Sequence, residues 1–185
     1  MMFVRSAAGF GMVGFVSALL TSGVFAQDNP VVVVETGMGS ITIELSPQEA
    51  PLSVENFLAY VDAEHYDNTI FHRIIQNFMI QGGGFSPEMS RNQTRASIKN
   101  EAENGLTNDR YTIAMARTNE IDSATDQFFI NTVDNNFLNN GVRDFGYAVF
   151  GRVIDGTEVV DRIAATPVTN SLPNETVMIR SIRRQ

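Results

Sequence analysis

Hydrophobic and polar positions change their period along this chain, and each change marks an element. Val31–Glu35 is a nearly continuous apolar run, Gly37-Met38-Gly39 supplies turn residues, and Ile41–Leu45 alternates with period two. That combination predicts a β-hairpin. Ser46-Pro47 breaks it, and Pro51 pre-sets the first turn of a helix. Val54, Phe57, Leu58 and Val61 then recur at helical spacing, one apolar stripe of an amphipathic helix. Two strand-like segments follow within 69–81, split by the polar pair Gln76-Asn77.

Residues 82–110 are polar, rich in Gly, Asn and Ser, and without clear period. A connection of that length in a compact domain is uncommon unless it serves a function. Thr112–Ala116, Gln127–Asn131 and Tyr147–Val153 read as short strands, the last closed by Asp155-Gly156. Thr157 is placed to cap a second helix whose Val159, Val160 and Ile163 share a face. Thr176–Arg184 is again β-like. Many short strands with two helices predict a mainly β domain, an antiparallel barrel or a sandwich, and the pattern alone does not choose between them.

The first thirty residues follow a different logic. Arg5 is followed by no charge until Asp28, and the apolar stretch between them closes on Val24-Phe25-Ala26. Small residues at both ends of that tripeptide predict signal-peptidase cleavage after Ala26, giving a leader over 1–26 and one domain over 27–185. An uncleaved anchor is the alternative, since 22 uncharged residues nearly span a bilayer, but the four glycines among them weaken it. Cleavage places the domain in the periplasm, or outside the cell where there is no outer membrane, with no stable membrane association afterwards.

Charge and composition narrow the chemistry. The chain carries 13 basic and 21 acidic residues, a net −8 that becomes −9 once the leader takes Arg5 away. Such a surface repels phosphate backbones and argues against nucleic-acid partners. There is no cysteine, so an exported domain must rest on its core without disulfides, and thiol chemistry is excluded. His65 and His72, the two histidines, argue against a zinc site. They also argue against a Ser-His-Asp hydrolase, for which no Gly-x-Ser-x-Gly elbow occurs.

The most informative stretch is Phe71-His72-Arg73-Ile74-Ile75-Gln76-Asn77-Phe78-Met79-Ile80-Gln81-Gly82-Gly83-Gly84. With Gln127-Phe128-Phe129-Ile130-Asn131 and Phe145–Gly151 it resembles the cyclophilin peptidyl-prolyl cis/trans isomerases, and most of all the periplasmic enzymes of Gram-negative bacteria. The resemblance runs from about residue 31 to the C-terminus. It implies a closed eight-stranded antiparallel β-barrel, a helix over each open end, and an active site in a groove on the outer wall. It also implies a monomer, no cofactor and no metal, with unfolded or partly folded proline-containing polypeptides as partners.

The X-Pro bond is held planar by resonance, with a barrier of about 18–20 kcal/mol. A catalyst must favour the twisted state, in which the prolyl nitrogen regains a lone pair. That requires a donor aimed at the nitrogen, an apolar slot for the ring and polar contacts to the flanking carbonyl. Arg73 is the candidate donor, a planar fork that stays charged at every relevant pH. A general base has no role, because no proton is transferred. Strand alternation predicts Phe71, Arg73 and Ile75 on one face with His72 and Ile74 on the other, which keeps His72 out of the Arg73 pocket.

Residue by residue, the resemblance implies that Phe78 and Met79 line the proline slot, Gln81 bonds the substrate backbone, and Ala116 and Arg117 offer an extended segment to the peptide. Gln127 would reach the substrate amide and Phe129 would close the slot. Phe137-Leu138 stands where eukaryotic members commonly have Trp-Leu, and Tyr147 where they commonly have His. Phe137 lacks the indole N–H that cyclosporin uses in the family, which implies weak drug binding. Phe85–Asn92 lacks the Gly-Thr-Gly-Gly pattern of many eukaryotic members.

Overall fold

The computed structural model describes residues 1, 2 and 29–185. The leader expected over 1–26 therefore lies outside the described residues, apart from Met1 and Met2. Strands β1 (Val31–Thr36) and β2 (Gly39–Leu45) form the hairpin, and helix α1 (Pro51–Asp62) starts on Pro51. Then come β3 (Thr69–Ile75), β4 (Met79–Gly82), β5 (Thr112–Met115), β6 (Phe128–Asn131) and β7 (Val149–Asp155). Helix α2 (Thr157–Ala164) and a two-residue hairpin, β8 (Val168–Thr169) with β9 (Leu172–Pro173), precede β10 (Met178–Arg184).

Eight of these strands close a barrel in the order β1-β10-β3-β4-β6-β5-β7-β2, every pair antiparallel. Closure removes exposed edges, and it settles the choice between barrel and sandwich. The inside is filled from every wall by residues such as Val32, Ile43, Phe71, Ile80, Phe128 and Phe150, all 0% exposed. Side chains of this size stabilise by about 1.5–3 kcal/mol each on full burial. Phe57 of α1 sits 5.2–5.6 Å from the rings of Tyr66, Phe128 and Phe150. Val159 of α2 packs beside Gly39, at the opposite end of β2 from the turn that leads into α1.

Two local expectations are corrected. Residue Thr157 is the first residue of α2, not its cap; the cap is Gly156 in the left-handed region at φ 80°, with no side-chain cap bond. Phe71 does not share a face with Arg73. The β3–β4 register passes from Phe71↔Gly82 to Arg73↔Gln81, so two steps on β3 oppose one on β4. This bulge at His72 resets the alternation. Phe71 and Ile74 face the barrel interior, whereas Ile75 packs on the outside.

The long polar connection is held by side chains rather than by a ladder. Glu101 accepts the backbone N–H groups of Leu52 and Ser53 at 3.0 and 2.8 Å, supplying the N-terminal partner that α1 lacks from its own cap residue. Asn100, Asn104 and Asn108 then donate to the carbonyls of Gly146, Val149 and Leu138. The connection thereby props the segment that walls the cavity described next.

Candidate active site

Side chains on the outer face of β3, β4, β5 and β6 build a second, smaller apolar cluster. Met79, Ala114, Phe129, Leu138 and Val149 are buried there, with Ile75, Phe78, Ala116 and Tyr147 packed around them. The register explains the assembly: Arg73 lies opposite Gln81, Gln81 opposite Phe129, and Phe129 opposite Ala114. One row across four strands thus carries a cation, an amide, a ring and a methyl group.

Above that row lies a cavity of about 210 Å³. Arg73, Phe78, Met79, Gln81, Ala116, Arg117, Phe129, Leu138 and Tyr147 line it, as does Arg143, which the sequence reading did not single out. Arg73 Nη1 donates to Gln81 Oε1 at 3.1 Å, and Gln81 Nε2 donates to Gln127 Oε1 at 2.8 Å. This chain of amides fixes the guanidinium plane. Among the described residues Arg73 has no carboxylate partner, so its charge remains available.

Gln127 and Phe137 stand apart from the other sequence-derived site residues. Gln127 lines a neighbouring cavity of about 180 Å³. Gly84 makes room for it, since a Cβ there would lie 2.5 Å from the Gln127 side chain. Phe137 is an exposed rim residue stacked on Phe78, 5.5 Å between centroids, with Arg143 on the ring at 5.4 Å. Arg117 lines the cavity with a side chain that is already committed. Its guanidinium lies 4.6 Å from the Tyr147 ring, pairs with Asp144 at 2.8 Å, and donates to the carbonyls of Gly146 and Thr118. Arg117 therefore acts on the wall's shape more than on its charge.

Sequence reasoning missed the groups that hold the walls. Asn135 donates to Phe78 O at 2.8 Å and to Asn131 Oδ1 at 2.7 Å, and Asn131 donates to Asn108 Oδ1 at 3.2 Å. Asn108 also donates to the carbonyls of Leu138 and Tyr147, both at 3.3 Å. A buried, mutually satisfied amide network rigidifies what it touches. Asparagines dispersed along a sequence give no periodic signal, so only the fold reveals them.

The histidines are placed outside the cavity. His72 packs on Phe85 at 4.6 Å, and its Nδ1 is buried without a hydrogen-bond partner. Burial, and secondarily the Arg73 charge, lower its pKa from 6.5 to about 4. His65 Nε2 lies 3.0 Å from Asp126 Oδ2, a carboxylate with no exposed surface. Among the described residues no group of three or more His, Asp or Glu is placed to hold a metal ion.

The closed antiparallel barrel thus carries on its outer wall an apolar slot beside the Arg73 guanidinium. The family model for cyclophilin-type peptidyl-prolyl cis-trans isomerases matches residues 31–184, and the chain belongs to that family. It is a peptidyl-prolyl cis-trans isomerase. It is 54% identical over 154 residues to such an isomerase of Streptomyces antibioticus, covering 82% of this chain and 93% of that one. Isomerase A of Dickeya dadantii is 51% identical over 157 residues, with 82% and 83% covered. Isomerase B of Escherichia coli is 49% identical over 160 residues, with 82% and 98% covered. A solved cyclophilin from Cryptosporidium parvum, crystallised in the presence of the dipeptide Ala-Pro, superposes with a TM-score of 0.71 at 29% identity, over 84% of this chain and 98% of that one.

Proposed function

We propose that Arg73 performs the isomerisation by donating a hydrogen bond to the prolyl nitrogen as the X-Pro bond twists. The supporting observation is its guanidinium, bonded to Gln81 and without a carboxylate partner among the described residues, beside an apolar slot formed by Phe78, Met79 and Phe129. In the planar ground state the nitrogen lone pair is delocalised and accepts nothing; in the twisted state it is localised and basic. The bond therefore strengthens only at the transition state, which is the condition for raising kcat. A charged hydrogen bond contributes about 1.5–3 kcal/mol, roughly one to two decades of rate. Desolvation of the imide against Phe129 and Met79 adds to this, because a less polar surrounding weakens the resonance that holds the bond planar.

In this reading Gln81 and Gln127 bond the substrate backbone, and the Ala116-Arg117 segment lies beside it. The substrates are proline-containing segments of exported polypeptides, met by a monomeric enzyme in the periplasm after removal of residues 1–26. The charge-free run after Arg5, the small residues at Val24 and Ala26, and a family match that begins only at residue 31 support export. NMR exchange on an X-Pro peptide, comparing wild type with Arg73→Ala, tests the mechanism. Intact-mass measurement of the exported protein tests the leader: a mature chain starting at Gln27 is expected, and full-length protein in the membrane fraction contradicts it.

A further inference from the structure

The cavity above Phe129 and its neighbour share Gln81, Ala116 and Arg117, so together they form one trough along the outer wall. The trough's charge opposes that of the molecule. The chain has 21 acidic and 13 basic residues, yet four arginines, Arg73, Arg91, Arg117 and Arg143, line the two cavities, and no Asp or Glu lines either. Other surface hollows are mixed: one beside α2 holds Arg110 with Asp161, and one beside α1 holds Arg184 with Glu55.

The four arginines are not equivalent. Arg117 and Arg143 share a single carboxylate, Asp144, at 2.8 and 3.1 Å, so their two charges are only half offset there. Arg73 and Arg91 have no carboxylate partner among the described residues. Nearby acids are otherwise engaged or stand off the trough. Glu88 accepts from the Ser86 hydroxyl, Asp122 from the Asn100 N–H, and Asp126 is buried against His65. Glu120 is exposed on the adjoining loop without lining either cavity. Around Arg91 the second cavity is lined chiefly by polar side chains, Thr118, Ser123, Thr125 and Gln127, with Ala116 its one apolar residue.

We propose that this trough selects acidic segments: a carboxylate side chain near the proline is drawn into the second cavity and read by Arg91. The proposal rests on the isomerase reading of the first cavity and adds a substrate class to it. The trough's local field favours an acidic segment over a basic one, whereas the negative body acts in the opposite sense at longer range, so the preference is set by close contact in the trough.

The test uses three blocked peptides that differ only in carrying Glu, Gln or Lys, placed in turn at each of the two positions before the proline. Exchange rates are measured by NMR at low salt and in 0.5 M salt. At the responding position the Glu peptide is expected to exceed the Lys peptide in kcat/KM by about fivefold at low salt, and by less than about twofold at high salt, as solvent-exposed ion pairs behave. Arg91→Glu should reverse the order of the two charged peptides. Equal rates for Glu and Lys at both positions, a salt-insensitive difference, or an order unchanged by Arg91→Glu would each overturn the acidic preference while leaving the isomerase reading intact. Failure to turn over any of the three peptides would instead overturn the isomerase reading.

Discussion

Adjacent residues on β4, β5 and β6 face two different environments, one on each side of the barrel wall. Inward, Ile80, Ile113, Phe128 and Ile130 are fully buried against residues from all the other strands. Outward, Met79, Ala114 and Phe129 are almost as buried, but their cover is a loop segment carrying Leu138 and Tyr147 with Leu106 and Phe78 beside it, and a cavity of about 210 Å³ remains. The interior closes on itself because the sheet surrounds it. The outer cluster has no opposing layer, and its walls are held apart by amides, so it cannot collapse to fill the gap. In the proposed function a proline ring supplies the atoms that are missing. Burial alone therefore does not separate core from site in this protein; what separates them is whether the packing is complete.

Truncation at neighbouring positions on β6 gives the largest test of that distinction. Phe128→Ala should cost about 3–5 kcal/mol of stability, read by urea denaturation, because the closed interior cannot fill the hole. The remaining folded fraction should keep most of its kcat/KM. Phe129→Ala should destabilise clearly less, since water already reaches that side, while kcat/KM falls by about tenfold or more. If Phe129→Ala proved as destabilising as Phe128→Ala and left turnover intact, the outer cluster would be ordinary core and the comparison would fail.

Arg73 tests the same wall by charge rather than by volume. Its side chain is exposed and its one described bond is to Gln81, so Arg73→Ala should barely move the urea midpoint while lowering kcat/KM by at least about a hundredfold. Arg73→Lys should recover little, because an ammonium cannot keep both the Gln81 bond and a planar donor over the slot. Near-wild-type turnover by a folded Arg73→Ala protein would remove the proposed mechanism.

How much of this was legible before the fold follows from the same two-sidedness. The hairpin, the amphipathic stripe of α1 and the strands near Phe71 and Phe128 announce themselves by period, since each buries one regular face. The site residues Phe78, Met79, Gln81 and Phe129 were reachable because they sit in contiguous blocks whose order resembles a family. Alternation failed at His72, where a bulge inserts a step that no propensity marks. Arg143 was missed because it becomes part of the cavity only when the loop carrying Phe137 and Tyr147 folds back over Phe129. The asparagine network was hidden for a related reason: Asn108, Asn131 and Asn135 are far apart or aperiodic in sequence, and only the fold gives each its partner.

A ligand larger than a proline-containing strand should expose the rim. Phe137 offers a ring face to Phe78 and Arg143, but no N–H. An acceptor that loses its donor on binding costs about 1–3 kcal/mol, roughly a ten- to hundredfold loss of affinity. Cyclosporin should therefore inhibit weakly, and Phe137→Trp should tighten inhibition by about that factor while changing kcat/KM much less. Titration of both proteins during the isomerase assay decides it; equal inhibition would show that the rim donor does not matter in this protein.

The smallest expected effect separates the buried histidine next to Arg73 from the chemistry in the cavity. His72 is held neutral by burial and by Arg73, with a pKa lowered from 6.5 to about 4. The unfolded chain then binds a proton that the folded chain refuses, so stability falls as pH drops below about 6.5 and stops falling, for this group, near pH 4. Above 6.5 the contribution is fully present. Turnover needs no such proton, and kcat/KM should stay flat between about pH 6 and 9. His72→Gln should remain active over that range and lose stability less steeply between pH 6.5 and 4 than the wild type, measured as urea midpoints at each pH. A stability curve unchanged by the substitution would mean that the buried ring does not resist protonation as described. A histidine-like titration of kcat/KM that vanishes in His72→Gln would move the chemistry from Arg73 to its neighbour across the bulge.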